Sequence, residues 1–337
     1  MTTMERVMHT ESSVGSAVNA AFNQLRGELE QCIIGQQTLV EHLLIALLAD
    51  GHLLVEGAPG LAKTTAIKEL ALRIEGDFHR VQFTPDLLPG DLTGTEMYRP
   101  QTGEFEFQRG PIFHNLVLAD EINRAPAKVQ SALLEAMGER QISVGLKTYS
   151  LPRLFLVMAT QNPIEQEGTY ALPEAQLDRF LMHVRVGDPD VSAERRILDL
   201  NRAQAQAQAS HEAGPAVLLT QEQIFTAQQE LLSLHMAASV EEYLIQILLA
   251  SRDASPYGED LVHWISYGAS PRGTIALDRC ARAHAWLAGR DFVSPEDIQA
   301  VVHDVLRHRI LLSFEAEAEG LSSDDVIREL IRRVPVA

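Results

Sequence analysis

Cysteine is scarce in this chain, and so are the sequence features of secreted and membrane-inserted proteins. Of 337 residues only two, Cys32 and Cys280, are cysteine, and they are too far apart in sequence to indicate a disulfide framework or a metal-binding cluster. The first 20 residues contain no apolar segment of the secretory type. The apolar run Leu43–Leu48 is much too short to cross a bilayer. We therefore expect a cytoplasmic protein without membrane insertion.

Basic residues are also under-represented. The chain has 28 Lys and Arg against 46 Asp and Glu, a net charge of −18. An acidic surface repels phosphate backbones, which makes nucleic acid an unfavourable partner, although a local basic channel stays possible. Hydrophobic residues make up 46% of the chain. This composition is ordinary for a globular protein, and the length suggests about two domains of ~150 residues each.

Five short apolar runs predict β-strands, and most are separated by segments with helical periodicity. Near-continuous apolar runs are typical of strands that are buried on both faces, as in a parallel sheet between helices. The alternation predicts an α/β domain. The predicted strands are His52–Glu56, His79–Phe83, Leu116–Asp120, Leu154–Thr160 and Leu181–Val186.

The remaining segments suggest how the chain is divided. Residues 1–15 are polar and rich in Ser and Thr, which predicts disorder. We assign residues 16–200 to the α/β core. Residues 201–218 include a low-complexity stretch that ends in Gly-Pro, and we interpret them as a linker, although part could be an exposed helix. Residues 219–337 show helical patterns and predict a smaller all-helical domain.

A glycine-rich loop connects the first predicted strand to a helix. Such a loop turns its backbone N–H groups toward phosphates, and the positive end of the following helix attracts them. Lys63 could reach the β- and γ-phosphates, and the Thr64 hydroxyl could bind Mg²⁺. Ala62 replaces the last glycine of the usual pattern, and we expect it to adopt a right-handed conformation that alanine tolerates. The alternative is a chance glycine-rich turn. The predicted binding residues are Gly57, Ala58, Pro59, Gly60, Leu61, Ala62, Lys63, Thr64 and Thr65.

Polar residues end two of the predicted strands. Asp120 and Glu121 follow a buried strand, and carboxyl ends of parallel strands meet at the ligand-binding edge of a sheet. Asp120 would hold Mg²⁺ through water, and Glu121 would polarise the attacking water. Asn162 follows another strand and could hold that water against Glu121. The alternatives are an ordinary polar strand end and, for Asn162, a turn before Pro163.

With these motifs in place, the chain resembles the MoxR family of AAA+ ATPases. The motifs GAPGLAKT, LADEINRAP, MATQNP, LPEAQLDRF and SPRG occur in the order that the family uses, over roughly residues 15–310. The resemblance implies ATP and Mg²⁺ as cofactors. It also implies a P-loop core with a five-stranded parallel sheet in the order 5-1-4-3-2, flanked by helices, and a helical lid.

The same resemblance implies further site residues. Ile34-Gly35-Gln36 matches the segment that contacts adenine. Arg179 matches the arginine finger, which reaches the γ-phosphate held by a neighbouring subunit, so activity would require a ring, usually a hexamer. A salt bridge from Arg179 to Asp178 or Glu174 is the alternative. Arg272 matches sensor 2 of the lid, and whether it acts in its own site or a neighbour's stays open.

Three functions are compatible with these features. The favoured one is a chaperone-like motor that remodels or matures a protein client, or inserts its metal cofactor, together with a von Willebrand factor A domain protein. Phe83–Gly94 and Gln141–Leu151 resemble segments that face the substrate in related rings, although an ordinary loop and hairpin would also fit. A helicase-like nucleic-acid motor is the second function, and a nucleotide-gated binding module without turnover is the third.

Overall fold

The structure is a computed structural model that describes residues 3–145, 147–163, 168–207 and 215–336, with the backbone alone at 3–16 and 203–207. Its central feature is a five-stranded parallel sheet in the order β2-β5-β8-β1-β9. Numbered along the chain as the five predicted strands, this is the predicted order 5-1-4-3-2 read from the other edge. The five strands are β1 (Leu53–Glu56), β2 (Phe78–Gln82), β5 (Leu116–Asp120), β8 (Leu156–Gln161) and β9 (Met182–Arg185).

Both faces of the sheet are buried, as the near-continuous apolar runs predicted. Along β1, Leu53 and Val55 face one hydrophobic cluster, and Leu54 faces the other. Because successive side chains of a strand point to opposite faces, the inner strands β1, β5 and β8 each contribute to both clusters. The helices of this core are α1 (Thr3–Cys32), α2 (Gln37–Leu48), α3 (Lys63–Arg73), α4 (Pro89–Thr93), α5 (Ala127–Glu139), α6 (Glu174–Leu177) and α7 (Val191–Ala207).

Two antiparallel hairpins project from the core. The predicted insert Phe83–Gly94 contains α4 and leads into a hairpin that sequence reasoning missed, formed by β3 (Gly94–Arg99) and β4 (Glu104–Arg109). The predicted hairpin Gln141–Leu151 is present as β6 (Gln141–Val144) and β7 (Lys147–Ser150). The rings of Phe107 and Tyr149 stack at 4.1 Å, so the two hairpins touch.

The C-terminal part of the chain is mainly helical, but it is not all-helical as predicted. Two short strand pairs join its helices: β10 (His235–Met236) with β12 (Phe292–Val293), and β11 (Ile265–Tyr267) with β13 (Leu311–Leu312). Strands of two or three residues are too short to leave a periodic pattern in sequence. The helices are α8 (Gln221–Ser233), α9 (Ala238–Arg252), α10 (Glu259–Trp264), α11 (Pro271–Leu287), α12 (Pro295–Leu306), α13 (Phe314–Ala318) and α14 (Ser323–Arg333).

The N-terminal segment differs from the expectation of disorder over residues 1–15. The backbone of α1 is already helical at Thr3 and continues to Cys32. Extending an existing helix costs far less than nucleating one, so the packed half of α1 can propagate into a polar segment. Helix α7 likewise extends past residue 200, and part of the predicted linker 201–218 lies outside the described residues.

Helix α1 joins the core to the C-terminal helices. Phe22 meets the Trp286 ring edge-on at 5.2 Å, and the Asn19 side chain donates to the Trp286 carbonyl at 2.6 Å. A single hydrophobic cluster extends from β1 through α1 and α2 into α8, α11 and α12. In the part of the chain that the structure describes, no helix has the length and apolar character that a membrane span needs.

Candidate nucleotide site

The glycine-rich loop between β1 and α3 requires glycine at two positions for different reasons. Gly60 has φ +88°, a region that glycine enters without steric cost. At Gly57 a side chain would not fit, since a Cβ would lie 2.9 Å from the Val186 carbonyl oxygen. The loop thus combines a left-handed turn with close backbone packing against the segment after β9.

Ala62 corrects one of our expectations. Its backbone has φ 56° and ψ 14°, which is left-handed, whereas we predicted a right-handed conformation. The left-handed region costs a non-glycine residue about 1 kcal/mol because its Cβ crowds the following carbonyl. The geometry of the loop therefore requires the usual glycine conformation even though the residue is alanine.

Lys63 is the first residue of α3 and directly follows the glycine-rich loop. Its ammonium group donates to the carbonyl oxygen of Gly57, so the side chain folds back across the loop. Burial lowers the pKa of Lys63, while Asp120, Glu121 and Glu56 oppose that shift with their negative charge. The ammonium and the N-terminus of α3 together make this end of the loop attractive to anions.

A cavity of about 340 Å³ brings most of the predicted site residues together. Residues from the loop, from the end of β5 and from the end of β8 converge on it, as expected for the carboxyl edge of a parallel sheet. Asn162 directly follows β8 and is buried. The cavity is lined by Pro59, Gly60, Leu61, Ala62, Lys63, Thr64, Thr65, Arg80, Asp120, Glu121, Thr160, Gln161 and Asn162.

Asp120 is held by two partners that the sequence analysis did not identify. The Thr160 hydroxyl donates to Oδ1 at 2.6 Å. Arg80 donates to Oδ2 twice, from Nε at 3.0 Å and from Nη2 at 2.6 Å. Thr160 and Arg80 are on the two strands that flank β5, so they could be assigned to Asp120 only once the strand order was known.

Glu121 is also oriented by its neighbours. Its backbone has φ 58°, and its N–H donates to the Thr160 hydroxyl at 2.9 Å. Its carboxylate accepts from the Gln82 amide at 2.7 Å and lies 3.1 Å from the Arg124 guanidinium. A left-handed glutamate is a strained backbone position of the kind that concentrates in functional sites.

The residues present suit a magnesium nucleotide. The Thr64 hydroxyl and the Asp120 carboxylate are hard oxygen donors, and Mg²⁺ prefers such ligands together with water and phosphate oxygens. The left-handed turn at Gly60 and Ala62 precedes the N-terminus of α3, an arrangement that presents backbone N–H groups to phosphates. The cavity therefore combines a loop suited to an anion with a carboxylate suited to a cation.

The segment Ile34-Gly35-Gln36 lies against the chain that leaves β9. The Gln36 amide donates to the Gly187 carbonyl at 2.9 Å, and a Cβ at Gly35 would lie 2.8 Å from that of Ala193. Val186, the residue before Gly187, touches Gly57. The predicted adenine segment is therefore connected to the glycine-rich loop through residues 186–187.

Arg179 and Arg272 lie in a second cavity, of about 300 Å³, where the core meets the C-terminal helices. Among the described residues, the lining of this cavity and that of the nucleotide cavity have no member in common. Arginine dominates the lining, with only Asp50 and Asp178 as acids. Its five arginines are Arg140, Arg179, Arg272, Arg279 and Arg309.

Asp178 interacts with the C-terminal domain rather than with Arg179. Its carboxylate accepts from Arg309 at 2.8 Å and from the Ser270 hydroxyl at 2.9 Å, and Arg272 lies 3.9 Å away. Arg179 donates instead to the Leu134 carbonyl at 2.9 Å. A neutral backbone carbonyl thus positions the guanidinium of Arg179, whereas the carboxylate of Asp178 joins the core to the C-terminal domain.

Comparison with known proteins agrees with this geometry. A family model described as ATPase family associated with various cellular activities (AAA) matches residues 52–182, and an AAA lid domain model matches residues 263–330. Chaperone MoxR1 of Mycobacterium tuberculosis is 44% identical over 308 residues, which cover 91% of this chain and 80% of that protein. The chain belongs to the MoxR family of AAA+ ATPases.

Further relatives cover nearly the whole of this MoxR-family chain. Protein MoxR of Methylorubrum extorquens is 34% identical over 322 residues, covering 91% of this chain and 93% of that protein. A crystal structure of a protein from Cytophaga hutchinsonii is 42% identical and superposes with a TM-score of 0.88, covering 98% of this chain and 99% of that chain. The α/β core and mainly helical C-terminal part of this chain are thus shared with a solved relative.

Proposed function

We propose that this MoxR-family protein hydrolyses ATP with Mg²⁺ in a ring of identical subunits and uses the reaction to remodel a protein client. In the nucleotide cavity the loop and Lys63 would bind the phosphates, and Thr64 and Asp120 would hold Mg²⁺. When bound, Mg²⁺ neutralises charge that develops on the phosphate oxygens. Glu121 would orient and deprotonate the attacking water, and Asn162 would position it from β8.

The separation of the two cavities is the observation on which the ring proposal rests. A phosphoryl-transfer site gains much of its rate from an arginine at the γ-phosphate. Arg179 and Arg272 line a different cavity from the loop of their own chain. A second copy of the chain, packed head to tail, could supply both arginines, and head-to-tail contacts close into rings. We therefore assign Arg179 and Arg272 to a neighbour's nucleotide and propose a hexamer.

Mixing two inactive variants tests this assignment. Lys63→Ala should lose nucleotide binding but keep its arginines, and Arg179→Ala should bind ATP but lose on the order of 10³-fold in turnover. In a random one-to-one mixture, about a quarter of the interfaces of a head-to-tail ring pair an intact loop with an intact finger. Phosphate release should therefore recover to a measurable fraction of the wild-type rate.

The control is a mixture of Lys63→Ala with the double variant Lys63→Ala/Arg179→Ala, which contains no complete interface. Co-purification through two different affinity tags shows that the variants assemble together. If co-assembled Lys63→Ala and Arg179→Ala stay inactive, Arg179 does not act on a neighbour's nucleotide. If wild-type protein binds ATP without releasing phosphate in any assembly state, the chain is a nucleotide-gated binding module instead.

We further propose that a von Willebrand factor A domain protein, which has its own metal-ion site, helps to mature the client. We expect both proteins to act in the cytoplasm. The relative named as a chaperone supports a protein client. The net charge of −18 disfavours the alternative nucleic-acid motor.

Affinity capture tests for the partner. Glu121→Gln should bind ATP without turnover, so in ATP it should retain the partner. ATP turnover that is stimulated by DNA would favour the nucleic-acid motor instead.

A further inference from the structure

A continuous set of hydrogen bonds ties both acids of the nucleotide cavity to strand β2. Arg80 donates to Asp120 from two of its nitrogens, and its Nη2 also donates to the Gln82 side-chain oxygen at 3.0 Å. Gln82 in turn donates to Glu121 at 2.7 Å. Arg80 and Gln82 are two residues apart on one strand, so both point to the same face. The edge strand therefore supplies a cation to the carboxylate that would hold Mg²⁺.

The two members of the Arg80–Asp120 pair differ in how freely they can move. The Asp120 side chain is 12% exposed and is anchored by Thr160, whereas the Arg80 side chain is 50% exposed. A half-exposed guanidinium can exchange its partner for water at small cost, because water screens exposed ion pairs. Asp120 cannot leave in the same way. A second cation that reaches Asp120 would therefore displace Arg80.

We propose that Arg80 competes with Mg²⁺ for the Asp120 carboxylate and so sets the Mg²⁺ concentration that the nucleotide site requires. This inference rests on the proposed function, since it needs a magnesium nucleotide in this cavity. The guanidinium occupies lone pairs of Oδ2 that a metal-bound water would use.

The competing interpretation is that Arg80 binds phosphate directly, since it lines the same cavity as the loop. The two roles differ in their dependence on metal. A phosphate ligand strengthens nucleotide binding with and without Mg²⁺. A competitor of Mg²⁺ leaves metal-free nucleotide binding alone and weakens only the contribution of the metal.

Calorimetric titration with ADP separates these roles without relying on turnover. ADP affinity is measured in EDTA and then over a series of Mg²⁺ concentrations. Arg80→Ala should lower the half-saturating Mg²⁺ concentration about fivefold, a change that corresponds to about 1 kcal/mol. Its ADP affinity in EDTA should stay within about twofold of wild type. Arg80→Lys keeps a charge but not the two-nitrogen contact. Its half-saturating Mg²⁺ concentration should therefore lie between those of wild type and Arg80→Ala.

Arg99→Ala is the matched control, because Arg99 pairs with Glu106 on the exposed hairpin outside this cavity. Arg99→Ala should change neither the ADP affinity in EDTA nor the half-saturating Mg²⁺ concentration. An unchanged Mg²⁺ dependence in Arg80→Ala overturns the inference, and a loss of ADP affinity in EDTA makes Arg80 a phosphate ligand. If wild-type protein binds no ADP at any Mg²⁺ concentration, the proposed function itself fails. That result differs from both outcomes for Arg80→Ala. Thermal midpoints show whether each variant is folded.

Discussion

Two non-glycine residues with left-handed backbones lie in the nucleotide cavity. Ala62 has φ 56° and Glu121 has φ 58°. Each such position costs on the order of 1 kcal/mol, and it persists only where the surrounding structure enforces it. The glycine-rich loop enforces the backbone of Ala62, and the hydrogen bond from the Glu121 N–H to Thr160 enforces that of Glu121. The backbone conformations of Ala62 and Glu121 thus lower the free energy of unfolding at two residues that line the cavity.

Ala62→Gly should therefore stabilise the protein. Glycine relieves the left-handed strain, worth roughly 1–2 kcal/mol, but adds about 0.4–1 kcal/mol of entropy to the unfolded chain. The net expectation is an increase in the free energy of unfolding of up to ~1.6 kcal/mol. Chemical denaturation, followed by circular dichroism, measures it.

Ala58→Gly provides the matched control, four residues earlier in the same loop. Ala58 is not among the described residues with positive φ, so glycine there relieves no such strain and only makes the unfolded chain more flexible. It should destabilise the protein by about 0.4–1 kcal/mol. Equal destabilisation by Ala58→Gly and Ala62→Gly would contradict the strained backbone at Ala62.

At the scale of elements, a buried histidine supports the central pair of strands. His52 precedes β1 and is nearly inaccessible, and its Nδ1 accepts the N–H of Val157 on β8 at 3.1 Å. Burial lowers its pKa from 6.5 to about 3, assisted by the positive charge of Arg140. The ring is therefore neutral in the folded protein throughout the physiological range.

This shift predicts a loss of stability in mild acid. The folded pKa lies below the unfolded one, so the unfolded chain takes up a proton first as the pH falls through 6.5. Between pH 7 and 5.5 the contribution of His52 to the free energy of unfolding should fall by about 1 kcal/mol. His52→Asn keeps an acceptor near Val157 but cannot titrate, so its stability should decline less steeply over this range. Identical slopes for both proteins, from denaturation at several pH values, would refute this role.

Elements with a buried apolar face were predictable, and the exposed ones were not. The five strands of the sheet were found within two residues at each end. Four of them are mostly buried and apolar, whereas the edge strand β2 has a single buried residue, Val81. The hairpin β3–β4 was missed because its residues are mostly exposed on both faces, so alternation has no apolar side to reveal it. Within the helical pattern of residues 219–337, the break between α8 and α9 could not be recognised, because it contains neither glycine nor proline.

At the scale of the whole molecule, the sequence predicted which residues line one cavity better than it predicted their hydrogen-bond partners. Lys63, Thr64, Asp120, Glu121 and Asn162 line one cavity because parallel strands end at one edge. Contacts between neighbouring strands, such as those of Arg80, depend on the strand order and on side-chain reach. No local pattern in the chain encodes either of these.

The position of Arg309 illustrates the same limit over a longer distance. It lies in the segment after α12, more than a hundred residues from Asp178, and donates to that carboxylate and to the carbonyls of Phe180 and Leu181. Nothing near Arg309 in sequence indicates these acceptors. A buried arginine with several carbonyl partners is nevertheless what fixes the segment that contains Arg179.

The division of the site between two cavities has a consequence for abundance. On the proposed assembly a lone copy has no complete catalytic centre, and an open row of copies lacks one at its end, whereas a closed ring lacks none. Turnover per copy then rises steeply with the amount of protein present. A cell that makes little of this protein would consume almost no ATP with it, and consumption would begin only when enough copies accumulate to close a ring.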